Sequence, residues 1–170
     1  MGKFYLKVGK SGKKWYIFME DVLPKFFEGR SRHTLDEKGR LAIPTRFREV
    51  LHQKDDSSLV VTNLNNCLVS FARDDWQKIK DKAVNLPLFD NAATTYLRYF
   101  VSGAVECTLK QNRILIPPDL RGLAGLKKEV VLVGHLTRFE IWDKVKWEEE
   151  FDRVRETFPE ASQSLSNLGI

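Results

Sequence analysis

One stretch of this chain is written twice. Thr34-Leu35-Asp36-Glu37-Lys38-Gly39-Arg40-Leu41-Ala42-Ile43-Pro44 lies beside Thr108-Leu109-Lys110-Gln111-Asn112-Arg113-Ile114-Leu115-Ile116-Pro117. The offset is 74 at Thr34 and Thr108 and 73 at Arg40 and Arg113, so the second copy has lost one residue in its turn. Further on, Leu59-Val60-Val61 answers Val130-Val131-Leu132, and Trp76 answers Trp147, both at an offset of 71. A unit of roughly fifty residues present twice is too long, and in too few copies, for a solenoid. Two half-domains fused so as to imitate a two-fold dimer is the simpler account.

Each copy reads alike. A strand around 29–35 or 103–109 runs into a polar turn, where Gly39 and Asn112 hold equivalent places suited to positive φ. A short apolar strand follows at 41–43 or 114–116, and proline stops it because it cannot donate to a ladder. A brief helix then carries Phe47, Val50 and Leu51, or Leu120, Leu123 and Ala124, the second ending at Gly125. Two more strands are expected at 59–62 with 67–71 and at 130–133 with 138–142, turning at Asn65-Asn66 and at Gly134. An amphipathic helix closes each copy. Asp74 would cap the first, with Trp76, Ile79, Ala83 and Val84 in one stripe; Asp143 would cap the second, with Trp147, Phe151, Val154 and Phe158. Asp90 can cap a connecting helix bearing Tyr96, Leu97, Phe100 and Val101. The pattern is that of an α+β fold. These aromatic stripes are either core or contacts between subunits.

Composition narrows the function. The chain is 42% hydrophobic and 30% charged, a globular balance. No apolar run approaches the roughly 18 residues that cross a bilayer. Trp15 to Met19 is short and meets Glu20 and Asp21 at once, so neither secretion nor membrane insertion is expected. Cys67 and Cys107 form no CxxC pair, which excludes a disulfide scaffold and the common zinc motifs. His33, His52 and His135 sit in unrelated contexts, without HExxH, a GxSxG elbow, a P-loop or GxGxxG. No catalytic residue, metal, cofactor or small-molecule substrate is expected. The formal charge of +5 invites a nucleic-acid partner, but residues 1–25 carry six lysines against two acids. That leaves +1 for the remaining 145 residues, so DNA binding must rest on local placement.

The first turn has that placement. Arg30, Arg32, His33, Lys38 and Arg40 fall within eleven residues, with Asp36 and Glu37 among them. A two-stranded ribbon fits the major groove, where arginine can grip a guanine edge and lysine a phosphate. Asp36, four residues before Arg40 across the turn, can hold the guanidinium in one orientation. The other reading is an ordinary charged hairpin whose Asp–Arg pair merely closes the turn.

Phe27-Glu28-Gly29, Leu35 through Arg40 followed by Ile43-Pro44, and Val131-Leu132-Val133-Gly134 with Phe139-Glu140-Ile141-Trp142 together resemble the MraZ family. These are bacterial transcriptional regulators with two AbrB-type (SpoVT-AbrB) half-domains. The resemblance covers roughly residues 26 to 155. It implies a duplicated, swapped-hairpin β-barrel core with peripheral helices, assembled as a ring-shaped homo-oligomer in the cytoplasm and nucleoid. It further implies sequence-specific binding of double-stranded DNA at short direct repeats ahead of the division and cell-wall gene cluster, usually as a repressor. The division it suggests is a basic extension at 1–25, half-domains at 26–88 and 103–158, a connecting helix at 89–102 and a tail at 159–170.

The family reads DNA with an Asp-x-x-x-Arg hairpin in each half. Asp36 and Arg40 match it, with Lys38 and Gly39 in place. In the second half Arg113 matches but the acidic residue is missing, so Lys110 and Arg113 are expected to touch phosphate without an aimed base contact. The expected DNA-binding set is therefore Arg30, Arg32, Asp36, Lys38, Arg40, Lys110 and Arg113. Residues 1–25 depart from the family; they are a basic extension adding nonspecific DNA affinity, or the true start is Met19. A structural or protein-interaction ring that does not read DNA is the alternative function.

Overall fold

Each copy hands its outer strand to the other. The computed structural model describes residues 4–8, 14–18 and 25–169. Strands β1 (Phe4–Val8) and β2 (Lys14–Phe18) pair antiparallel with each other ahead of the duplicated part; the alternative start at Met19 lies outside the described residues. The first copy forms β3 (Arg30–Thr34), β4 (Arg40–Ala42), α1 (Thr45–Gln53), β5 (Ser58–Leu64), β6 (Cys67–Ala72) and α2 (Arg73–Ala83). Helix α3 (Asn91–Tyr96) runs into a π-helical turn, Leu97–Val101. The second copy forms β7 (Val105–Thr108), β8 (Arg113–Leu115), α4 (Pro118–Ala124), β9 (Glu129–His135), β10 (Arg138–Asp143) and α5 (Lys144–Leu165).

The large sheet has the order β3-β9-β10-β6-β5-β7, antiparallel throughout, and β4 pairs with β8 in a second, two-stranded sheet. Exchanging the copies turns β3 into β7, β9 into β5 and β10 into β6, so the order reads the same from either end. Individual bonds obey the same relation. Leu35 N donates to Lys128 O at 2.9 Å, as Leu109 N does to Ser57 O at 2.8 Å. Ile43 N donates to Asn112 O at 2.9 Å, as Ile116 N does to Gly39 O at 3.0 Å. The chain is α+β, and the two copies build one sheet together.

This corrects the simple hairpin expected at the first turn. Strands β3 and β4 are joined only by a bridge at Leu35 and Leu41 before they part, β3 to β9 and β4 to β8. The ribbon at the site is therefore composed of one strand from each copy. The cause is burial: Leu41 and Ile114, opposite each other in the β4–β8 register, both lie fully inside the core.

Alternation along the strands sends side chains to two covered faces, which is why β5 and β6 read as nearly continuous apolar runs rather than alternating ones. Leu59, Val61, Leu68, Leu132 and Ile141 face the main core with α1 and α4. Phe27, Phe47 and Phe139 meet there, with ring centroids 5.4, 5.2 and 4.8 Å apart pairwise. On the other face, Val60, Val69 and Phe71 lie under Trp76 and Phe100, while Val131, Val133 and Trp142 lie under Trp147. Trp76 of α2 and Trp147 of α5 thus do the same work in the two copies.

Several expectations are revised by this packing. Trp76 and Phe100 are only 7% and 8% exposed, so they are core and not subunit contacts. Among the described residues the most exposed large apolar groups are Val84, Leu88, Phe89, Phe158 and Leu168. Leu123 points outward from α4, where Leu120 and Ala124 already fill the core face. The residue preceding α2 is Ala72, not Asp74; Asp74 and Asp75 lie in the first turn, where they suit the positive end of the helix dipole and hold Lys54 at 2.9 and 2.8 Å. The caps at Asp90 and Asp143 are as expected, accepting from Ala93 N at 2.8 Å and Val145 N at 3.1 Å. Helix α5 continues through Pro159 to Leu165, so no break separates 158 from 159.

Gly134 belongs to β9 rather than to the turn, which falls at Leu136 with φ of 63°. A methyl group on Gly134 would overlap the Phe27 carbonyl, and that backbone is fixed by Phe27 N to Leu136 O at 2.8 Å and Gly134 N to Gly29 O at 2.9 Å. Gly134→Ala is expected to destabilise the fold by about 1–3 kcal/mol, as overpacking does. A thermal melt should show Tm falling by about 2–4 °C per kcal/mol; an unchanged Tm would mean that the Phe27 segment is not held there.

Candidate nucleic-acid interface

The two turns solve the same geometric problem with different lengths. At the first, Gly39 N donates to Asp36 O at 2.9 Å and Asp36 N to Arg40 O at 3.1 Å, closing a three-residue loop whose last member, Gly39, has φ of +81°. A left-handed residue in that place makes the bulge typical of such loops. At the second, Lys110 and Arg113 exchange both backbone bonds, at 2.8 and 2.9 Å, around Gln111 and Asn112 with φ of 49° and 62°. The residue lost from the repeat thus shortens the loop to two residues, both left-handed.

Asp36 organises the first turn. Its Oδ1 accepts from Lys38 N at 3.0 Å and Arg40 N at 2.9 Å, and its Oδ2 accepts from Arg40 Nε at 2.6 Å. The Arg40 backbone N–H, and after it the guanidinium, hold the Asp36 carboxyl below the usual carboxylate range. A lowered acid keeps its charge at neutral and mildly acidic pH and gives it up only as pH falls through the lowered value. The Arg40 side chain is half exposed, so its aim is set while its outer edge stays open.

The same carboxylate reaches the second copy. Arg113 Nη1 lies 3.9 Å from Asp36 Oδ2. The absence of an acid within the second turn therefore does not leave Arg113 without one. Pairing of β4 with β8 carries Arg113 across to the acid of the first turn, at longer range than Arg40.

The other candidates divide. Lys38 and Lys110 sit at the two tips, exposed, without an ion pair among the described residues. Arg30 and Arg32 are not gathered there. Both project from the outer face of β3 toward α5, Arg30 stacking over the Phe151 ring at 4.4 Å and Arg32 reaching Glu148 at 3.4 Å. The strand's period of two, combined with a helix lying over that face, turns them away from the tip.

Two arginines escaped the sequence reading. Arg48 of α1 donates to Asn112 Oδ1 at 2.9 Å, Ile43 O at 3.2 Å and Thr45 Oγ1 at 2.9 Å, so the first copy's helix holds the second copy's turn. Its repeat equivalent, Arg121 of α4, packs on Gly39 so closely that a Cβ there would lie 2.7 Å from Arg121 Cζ. Because that neighbour is the movable end of a long side chain, it is the φ of +81° that asks for glycine at this position. The available signal was the alignment of Arg48 with Arg121 in the repeat.

Nucleophilic chemistry finds no support in the cysteines. Both are buried, which pushes the Cys107 thiol up to about 11 and the Cys67 thiol further in the same direction. Among the described residues no cluster of His, Cys, Asp or Glu is placed to hold a metal ion, and no helix is long and apolar enough to cross a membrane.

The family model described as "MraZ protein, putative antitoxin-like" matches residues 26–99 and again 100–167. The chain is 40% identical over 146 residues to the Transcriptional regulator MraZ of Syntrophobacter fumaroxidans, covering 85% of this chain and 97% of that one. It is 42% identical over 143 residues to the Transcriptional regulator MraZ of Caldanaerobacter subterraneus subsp. tengcongensis, covering 84% and 98%. For the protein of the same name from Alkaliphilus metalliredigens the identity is 41% over 145 residues, covering 85% and 99%. Two tandem matches over the two copies, together with identity of this extent, show that the chain belongs to the MraZ family.

Proposed function

We propose that this chain is a sequence-specific DNA-binding transcriptional regulator, a repressor acting in the cytoplasm on the nucleoid. Its targets are direct repeats upstream of the division and cell-wall gene cluster. The relatives' common name supports a regulatory role. The observation that carries the DNA reading is the Asp36–Arg40 pair at 2.6 Å, half exposed at the end of a two-stranded ribbon. A guanidinium held at Nε by an acid presents its remaining N–H groups in a fixed fork, the form suited to a guanine edge. The strand exchange between copies supports an AbrB-type swapped-hairpin core, closed as a barrel by the β4–β8 pair. Exposed Leu88, Phe89 and Phe158 supply apolar faces for joining subunits into a ring, which would set hairpins at the spacing of direct repeats.

A salt titration with a duplex carrying the repeats and with a scrambled duplex tests this. Tight, repeat-specific binding that weakens with salt is expected. Absence of any preference for the repeats would favour a structural or protein-interaction ring, and a single species of one subunit's mass by light scattering would remove the ring. Arg113→Ala is expected to weaken binding less than loss of Arg40, and about equally on both duplexes, because Arg113 is 3.9 Å from Asp36 and less firmly aimed. A greater loss of specificity at Arg113 would reverse the ranking.

A further inference from the structure

Beside the first turn lies an open hollow of about 620 Å³, whose lining includes Asp36, Lys38, Arg40, Arg121, Lys127 and Lys128. Five of its lining residues are basic and two acidic, and one of those acids, Asp36, is committed to Arg40. Lys127 and Lys128 open the approach to β9 and are exposed, with no ion pair among the described residues. Lys25, Lys54 and Lys144 pair with Glu49, with Asp74 and Asp75, and with Glu129, whereas Lys38, which also lines the hollow, has no ion pair among the described residues. Arg121, at the back of the hollow, has its Nε buried without a hydrogen-bond partner.

The pseudo-two-fold relation makes the hollow informative. Lys128 O accepts from Leu35 N as Ser57 O accepts from Leu109 N, so Lys127 and Lys128 occupy the places of Asp56 and Ser57. Asp56 has a structural task, accepting from Arg73 N at 2.7 Å and Ser58 N at 3.1 Å. Its counterpart lysine has none: only the Lys127 backbone N–H is engaged, by Asp143 Oδ2 at 3.0 Å. Unpaired cations on a fixed backbone, on one side of a near-symmetric site, are suited to a polyanion rather than to the protein itself.

We propose that Lys127 and Lys128, with Arg121 and Lys38, form a phosphate-binding surface that holds the DNA backbone beside the first hairpin. The proposal rests on the DNA-binding reading above and extends it: the site is electrically lopsided, and DNA docks with its backbone on the Lys127–Lys128 side. These residues position and carry no base specificity, since phosphates are alike in every sequence.

The test is the slope of log affinity against log salt for Lys127→Ala/Lys128→Ala, on repeat and scrambled duplexes. Each phosphate contact contributes about 0.9 to that slope, so the double variant should lose about 1.8. Over a fourfold rise in salt, wild type would then lose about 12-fold more affinity than the variant. The ratio between the two duplexes should stay as in wild type. Lys127→Gln/Lys128→Gln, which keeps most of the side-chain bulk, should behave alike and guards against misfolding. Lys80→Ala/Lys82→Ala on α2, over the other face of the sheet, removes equal charge and should leave most of the slope. An unchanged slope with Arg40-dependent specificity intact overturns this proposal alone. Equal losses in the two alanine doubles overturn it too, since net charge would then suffice. No binding of either duplex by wild type at low salt overturns both readings.

Discussion

Replacing Arg40 with alanine is expected to abolish repeat-specific DNA binding while leaving the fold in place. The side chain is half exposed, and its backbone bonds to Asp36 and the β4–β8 pairing do not depend on it. One bidentate base contact is worth about 1–3 kcal/mol, or roughly 5- to 150-fold in affinity for a single hairpin. Where several hairpins on one frame engage successive repeats, the loss multiplies through effective concentration. Fluorescence anisotropy on repeat and scrambled duplexes measures it, with circular dichroism as the check on folding. Equal affinity of wild type and variant for the repeats would remove Arg40 from the interface.

Phe139→Ala is expected to be the most damaging single truncation in the core. Phe139 is fully buried between Phe27, at the start of the first copy, and Phe47 on the first copy's helix, yet it stands on β10 of the second. Removing a buried phenyl ring costs about 3–5 kcal/mol. Against a usual total of about 5–15 kcal/mol, that leaves a marginal protein. Because the ring ties the copies together, urea unfolding should remain one transition, with the midpoint lowered and the slope unchanged. Two separate transitions in wild type would show instead that the halves fold independently.

The pattern along the chain already contained much of this molecule. The offsets of 74, 73 and 71 in the repeat reappear as a sheet that reads alike from both ends. Gly39 and Asn112 were legible as left-handed positions, and Gly125 as a helix terminator, because turn chemistry is local. So was the pairing of Asp36 with Arg40, four residues away across a turn that only a few conformations can close. The family resemblance rested on the same short-range motifs, and both copies match the family model.

Tertiary structure decided what lies between distant residues. Periodicity tells which face of a strand is buried but not which strand lies beside it. Hence β3 joins β9 and β4 joins β8, and Asp36 comes to serve Arg113 as well as Arg40. Gly134 reads as a turn residue by composition, yet the Phe27 backbone crossing it explains why no side chain fits there. Trp76 and Phe100 read either as core or as subunit contacts until the sheet beneath them is counted, which makes them core. Arg30 and Arg32 read as members of the turn cluster until α5, more than a hundred residues later, supplies Phe151 and Glu148 to hold them. Local sequence determined the elements, the turns and the Asp36–Arg40 ion pair, because a few dihedral angles and near neighbours suffice for those. Partners were left to the packing of both copies into one core, which no single segment encodes.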